Sequence, residues 1–212
     1  DMCKAVDRGM TMGDIVKMTV FLVAPTPGGR MDSAAMNDVF KTFFGTPTPH
    51  KFKTSFSGCP IDCARTKEMD FGFQGVVDPK WEEEACTGCT ICAEACKEDA
   101  IASDPDTGKP IFDPVKCIFC GDCIRACPTE AWKPKRYGHT VRIGGKHGRH
   151  PMEAVEVCNF LPDEKVADAI KMTIDWYNAN GKRGERIGNA LKRVGLESYL
   201  KHMEPVFKSS KA

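Results

Sequence analysis

The chain has 212 residues, of which 42% are apolar and 28% charged, with a net charge of +1, the make-up of one large or two small soluble domains. That balance gives no general electrostatic case for binding nucleic acid or a membrane surface. No apolar run reaches the roughly 18 residues of a membrane span, and with no cleavable signal at Asp1 the expected location is cytoplasmic.

In chain order, residues 14–23 (DIVKMTVFLV) are β-rich and read as a buried strand, and Met36, Val39, Phe40, Phe43 and Phe44 recur at helical spacing up to Gly45. The stretch KFKTSFSG alternates polar and apolar side chains, which predicts a strand carrying Lys51, Lys53 and Ser55 on one face. It leads into SGCPIDCAR, where Cys59 and Cys63 have three residues between them and Arg65 behind. A strand is predicted over Phe71 to Val77, and from Cys86 to Pro128 the composition turns abruptly cysteine-rich, as in an inserted module. Another strand, HTVRI, resumes at His139 and runs into GGKHGRHP, a loop dense in glycine and base. From Asp163 a helix with Val166, Ala169, Ile170, Thr173 and Tyr177 on one face runs to about Asn180 and stops at Gly181. A shorter basic helix follows, then the tail.

Twelve cysteines could mean secreted disulfides or intracellular metal, and spacing decides between them. Cys86, Cys89, Cys92 and Cys96 make C-x2-C-x2-C-x3-C, and Cys117, Cys120, Cys123 and Cys127 repeat it with Pro128 behind. Three thiolates in a short loop reach three corners of an iron-sulfur cube, while the fourth points to the other cube. Cluster one then takes Cys86, Cys89, Cys92 and Cys127, and cluster two takes Cys117, Cys120, Cys123 and Cys96. The doubled pattern resembles the bacterial two-cluster ferredoxin domain, with Lys97 standing where that family usually has proline. Zinc knuckles or disulfides are the alternative, although zinc sites are usually built from separate ligand pairs.

PHKFKTSFSGCPIDCARTKEMDFGFQG, from Pro49 to Gly75, resembles the segment of siroheme sulfite and nitrite reductases that carries C-P-x-x-C after a lysine-bearing strand. VRIGGKHGRHP, from Val141 to Pro151, resembles their downstream glycine-basic loop. With a ferredoxin module between them, the arrangement is similar to small anaerobic or dissimilatory-type sulfite reductase catalytic subunits over residues 49–202. The resemblance implies an α+β fold: a siroheme-reductase-type α/β half-domain (residues 49–78 and 136–212) interrupted by a two-cluster ferredoxin domain (79–135). It also implies a third [4Fe-4S] cluster with Cys59 and Cys63 among its ligands, and Cys63 sharing its sulfur with the siroheme iron. Lys51 and Lys53 would face sulfite, with nitrite as a second substrate, and Arg65, Arg142, Gly144, Gly145, Lys146 and Arg149 are candidates for the siroheme carboxylates. Arg65 could equally be a surface charge, the lysine pair a solvated face and GGKHGR an ordinary basic turn. His147 and His150 read as surface residues or carboxylate partners, Cys158 as a buried thiol, and the GKRGER stretch as a solvated helix end or a contact to siroheme or a partner. With no flavin or nicotinamide fingerprint, an electron-donating partner is expected, as is an oligomer.

The family's first cysteine pair, C-x5-C, has no counterpart before Lys51, where only Cys3 precedes. Residues 9–48 instead resemble the middle of Rid-family enamine/imine deaminases, through VKMTVFL and MNDVFKTFFG, so residues 1–48 form an atypical N-terminal strand-helix segment. The alternative function is therefore an electron-transfer subunit whose siroheme half is degenerate.

Overall fold

A computed structural model describes residues 47–208; the strand and helix read from residues 14–45, and Cys3, lie outside the described residues. The architecture is a mixed α/β one. A four-stranded sheet has the order β1-β2-β5-β6, and a two-stranded sheet pairs β3 with β4. The large sheet consists of β1 (Thr54–Ser57), β2 (Phe71–Trp81), β5 (Trp132–Ile143) and β6 (Val155–Leu161). β1 runs parallel to β2, while β2 with β5 and β5 with β6 are antiparallel. Between β2 and β5 lie α1 (Ile91–Ala95), β3 (Ile101–Ser103), β4 (Pro110–Phe112) and α2 (Asp122–Ala126). After β6 come α3 (Val166–Asn180), α4 (Ile187–Val194) and α5 (Leu196–Phe207).

The main core forms where Phe71, Phe73, Val141, Ile143 and Leu161 of the sheet meet Ala169, Ile170, Trp176 and Tyr177 of α3, Ile187, Ala190 and Leu191 of α4, and Tyr199, Met203, Val206 and Phe207 of α5. The apolar stripe of α3 falls where its sequence period predicts, and Thr173 resolves its own polarity by donating to the Ala169 carbonyl at 2.7 Å and pairing with the Tyr199 hydroxyl at 2.8 Å. A second, smaller core gathers Cys92, Ile101, Cys123 and Trp132.

Four local expectations need correction. The strand at Lys51 begins only at Thr54, and Ser55, expected beside the lysines on one face, is fully buried, its hydroxyl donating to the Ala64 carbonyl at 2.6 Å. The cysteine-bearing loop folds back over it and turns an alternating pattern into a covered one. Both long strands outrun their predicted ends, the β2–β5 ladder continuing to Trp81 opposite Trp132 across a register shift at Asp78/Pro79. The tail is not a tail: α5 buries Tyr199, Met203, Val206 and Phe207. Finally, Arg186 of GKRGER is no solvated helix end. It clamps the fully buried Asp70 through two bonds, Nε to Oδ1 at 2.8 Å and Nη2 to Oδ2 at 2.5 Å.

Asp70 is a junction. Its carboxylate also accepts the Lys53 amide at 2.9 Å, and its carbonyl accepts the Gly144 amide at 2.8 Å. Burial pushes its pKa up, against the opposing pull of Arg186 and of the Lys53 amide. One residue thereby ties together the approach to β1, the end of β5 and the start of α4.

Candidate redox site

The two cysteine loops adopt one backbone twice. Gly88 and Phe119, each just before the second cysteine of its repeat, have φ of 70° and 61°, while Thr90 and Gly121, each just after it, have 63° and 76°. Asp99 and Glu130, three residues past the fourth cysteine, repeat the match at 50° and 55°. Left-handed φ at four non-glycine residues is held only where surrounding structure over-determines it. Alternation of right- and left-handed residues turns successive amides inward into a concavity, a form common around iron-sulfur clusters. Cysteine spacing identified the loops but carried no signal of the strained positions Thr90 and Phe119.

Each concavity is lined by four thiols drawn from both repeats. Cys86, Cys89, Cys92 and Cys127 surround one hollow of about 290 Å³, counting its open mouth. Cys96, Cys117, Cys120 and Cys123 surround the other, of about 340 Å³. Among the described residues no three Cys, His, Asp or Glu side chains converge tightly enough to hold a single metal ion. Thiols standing around a hollow suit a body several atoms across, and a cube binds one thiolate at each iron.

Hydrogen bonds already point at the sulfurs. The Ala100 amide donates to Cys96 Sγ and the Phe119 amide to Cys117 Sγ, both at 3.3 Å. Burial holds the bare thiols of Cys92, Cys117 and Cys120 above their ordinary range, and burial with the neighbouring Cys117 and Cys120 pushes Cys123 up to about 12. For Cys127, although burial is the largest single influence and pushes upward, the amides of Trp132, Thr129 and Ala131 together with the Thr129 hydroxyl outweigh it and lower the pKa. Iron takes thiolates, so loading must expel these protons.

The other candidates gather around the first half of β2. Cys59 is half-buried and Cys63 exposed, on a loop with two more left-handed non-glycine residues, Asp62 and Arg65. Asp62 stiffens it by accepting the amides of Thr66 at 2.8 Å and Lys67 at 3.3 Å. The glycine-basic loop packs directly against it: a Cβ on Gly145 would lie 2.6 Å from the carbonyls of both Lys67 and Met69, the Ala154 amide donates to the Lys67 carbonyl at 2.7 Å, and His147 Nδ1 meets Glu68 at 2.8 Å. Two motifs some eighty positions apart thus pack together, and in and around them Lys51, Lys53, Arg65, His147, Arg149 and His150 are exposed.

Not every candidate is free to serve there. Arg142 is engaged with Gln74 and, at 2.9 Å, with Glu156. The Gly144 amide is used by Asp70, and Lys146 bridges to Met152 through its backbone. Cys158, the remaining cysteine among the described residues, is buried on β6 within the main core.

The two sets of cysteines meet along one edge of β2. β1 pairs with that edge as far as Ser57 opposite Gln74, and the next residue, Gly58, lies so close to Gly75 that a Cβ there would come within 2.6 Å of the Gly58 carbonyl. Two residues on, the edge is taken up by the second cysteine loop: the Val77 amide donates to the Phe119 carbonyl at 2.9 Å, and a Cβ on Gly121 would lie 2.5 Å from Val77 Cγ1. The edge-on ring pair of Phe119 and Phe160 at 5.0 Å closes the joint. Gly58 and Phe119, the residues just before Cys59 and Cys120, therefore meet the same edge of β2 two residues apart, about 7 Å along the strand.

Paired hollows lined by thiols suit iron-sulfur clusters. The chain belongs to the nitrite and sulphite reductase 4Fe-4S domain family, whose pattern matches residues 29–211. It is 35% identical over 205 residues to the coenzyme F420-dependent sulfite reductase of Methanocaldococcus jannaschii, covering 92% of this chain and 32% of that protein. It is 39% identical over 128 residues to a subunit of the anaerobic sulfite reductase of Salmonella typhimurium, covering 58% of this chain and 38% of that one. Among solved structures, dissimilatory sulfite reductase I shares the fold, with a TM-score of 0.58 at 22% identity over 82% of this chain and 48% of that one. The chain thus spans about a third of the length of these two curated relatives. The family match includes residues 29–48, part of the segment whose residues resemble the deaminase.

Because the smaller core owes two of its four buried residues to cysteines at the hollows, iron removal should unfold it selectively. Anaerobic chelation is expected to open the Cys86–Cys127 region to protease while the α3–α5 core keeps its helical signal. Loss of both together would show that the two cores do not stand apart.

Proposed function

We propose that this chain is the catalytic part of a sulfite reductase, in which two ferredoxin-type cubes feed a siroheme-coupled [4Fe-4S] centre at Cys59 and Cys63. The observation that carries this reading is the shared edge of β2, on which the loop of Cys117, Cys120 and Cys123 and the approach to Cys59 dock two residues apart. Electrons from a donor protein would enter at the cube of Cys86, Cys89, Cys92 and Cys127. They would then pass to the cube of Cys96, Cys117, Cys120 and Cys123, and on to Cys59 and Cys63. Hydrogensulfite, six electrons and six protons give hydrosulfide and three waters, and nitrite calls for the same six electrons.

The residues present fit the cubes fully and the siroheme centre in part. Cys59 and Cys63 supply half the thiolates of a cube, so two more must come from outside the described residues. Bound siroheme would supply an iron to hold the sulfur of the substrate and a ring to carry electrons to it. Arg65, the Lys146 side chain and Arg149 would receive its carboxylates and the Cys63 sulfur its iron, with Gly145 buried behind them against the Lys67 and Met69 carbonyls. Arg142 supports them from behind through Glu156 and Gln74, and Gly144 through Asp70. Lys51 and Lys53, with no side-chain ion pair among the described residues, would hold the anion and offset charge gained during reduction.

An anaerobic optical spectrum with iron and acid-labile sulfide counts tests this. Siroheme bands with iron for three cubes are expected from the protein in its native assembly. Iron for two cubes and no siroheme would instead make the chain an electron-transfer subunit, the reading favoured by the incomplete thiolate set.

A further inference from the structure

Trp132 is 3% exposed, yet its indole Nε1 is buried without a hydrogen-bond partner among the described residues. A buried donor left unsatisfied costs about 1–3 kcal/mol, so it calls for an explanation. Trp132 lines the hollow of Cys86, Cys89, Cys92 and Cys127 and packs with Cys92 in the smaller core. Trp81, its cross-strand partner, also has an unpartnered buried Nε1 but lines neither hollow.

The second hollow is furnished differently. Its lining contains no indole and includes the carboxylate-bearing Asp122. Reducing a cube adds an electron. A donor hydrogen-bonded to its sulfur favours the more negative state, and a carboxylate nearby disfavours it.

We propose that Trp132 tunes the first cube, its indole N–H donating to the Cys92 thiolate and holding that cube's reduction potential above that of the second. The first electron accepted then rests on the cube farther from Cys59 and moves inward when the next arrives. The inference rests on the reading that the two hollows hold cubes.

The test is an anaerobic redox titration followed by electron paramagnetic resonance on wild-type protein and on Trp132→Phe, which keeps the ring and removes the N–H. The midpoint of one cube is expected to fall by about 59 mV, a tenfold change in its one-electron equilibrium, with the other cube unmoved. Trp81→Phe should leave both in place. Unchanged midpoints in Trp132→Phe, or an equal fall in Trp81→Phe, would overturn the proposal. Should Trp132→Phe fail to take up iron, wild-type protein labelled with 15N-indole decides: coupling of an indole nitrogen to a reduced cube is expected, and its absence overturns the hydrogen bond. A wild type holding fewer than two cubes is a separate failure, of the underlying reading, and shows before any variant is made.

Discussion

Changing Lys51 and Lys53 together to Ala should lower sulfite turnover by about 10²–10³-fold, the usual cost of removing a group aimed at developing charge. Reduction of the cubes by a chemical donor should be unaffected, since both lysines lie before β1 and away from the hollows. Neither side chain is buried, so folding should be preserved and the loss should appear in turnover rather than in yield. The Lys53 amide, which bonds to Asp70, survives the substitution. Turnover within about twofold of wild type would remove these lysines from the mechanism and return them to the role of a solvated face.

The second large effect is on stability. Asp70→Ala leaves the Arg186 guanidinium, 12% exposed, without its carboxylate. It also strips the Lys53 amide of its acceptor. Breaking a buried pair from one side typically costs about 3–5 kcal/mol, which for a chain of this size is a fall in Tm of roughly 6–20 °C. Thermal unfolding followed at the α3–α5 helices measures it. A double change, Asp70→Asn with Arg186→Met, should recover much of the loss, because no lone charge then remains inside. A fall below about 2 °C for Asp70→Ala would mean that Arg186 reaches water or another partner without strain.

How much could be read from residues alone depended on range. Cysteine spacing carried the two repeats and the mixing of their thiols around each hollow, because the pattern repeats within a short stretch of chain. The stripe of α3 was equally legible, its period being local. Ser55 was not: its burial depends on a loop that returns from Cys59 to Arg65. Arg142 looked available because its partners, Gln74 and Glu156, come from strands that flank it only once the register is set. Arg186 was hidden for the same reason, 116 positions from Asp70. The helix α5 was obscured by Pro205 near its end, although Tyr199, Met203, Val206 and Phe207 keep a helical period. The left-handed Thr90 and Phe119 had no sequence signal, since neither residue type favours that conformation.

The β2–β5 ladder runs unbroken in pairing from Phe71 opposite Ile143 to Trp81 opposite Trp132, apart from one register shift. The proposed relay, mounted on one such ribbon, has no hinge to wait for. Its internal electron transfer should therefore be indifferent to solvent viscosity, with glycerol or sucrose slowing only the encounter with the donor and the exchange of substrate and product.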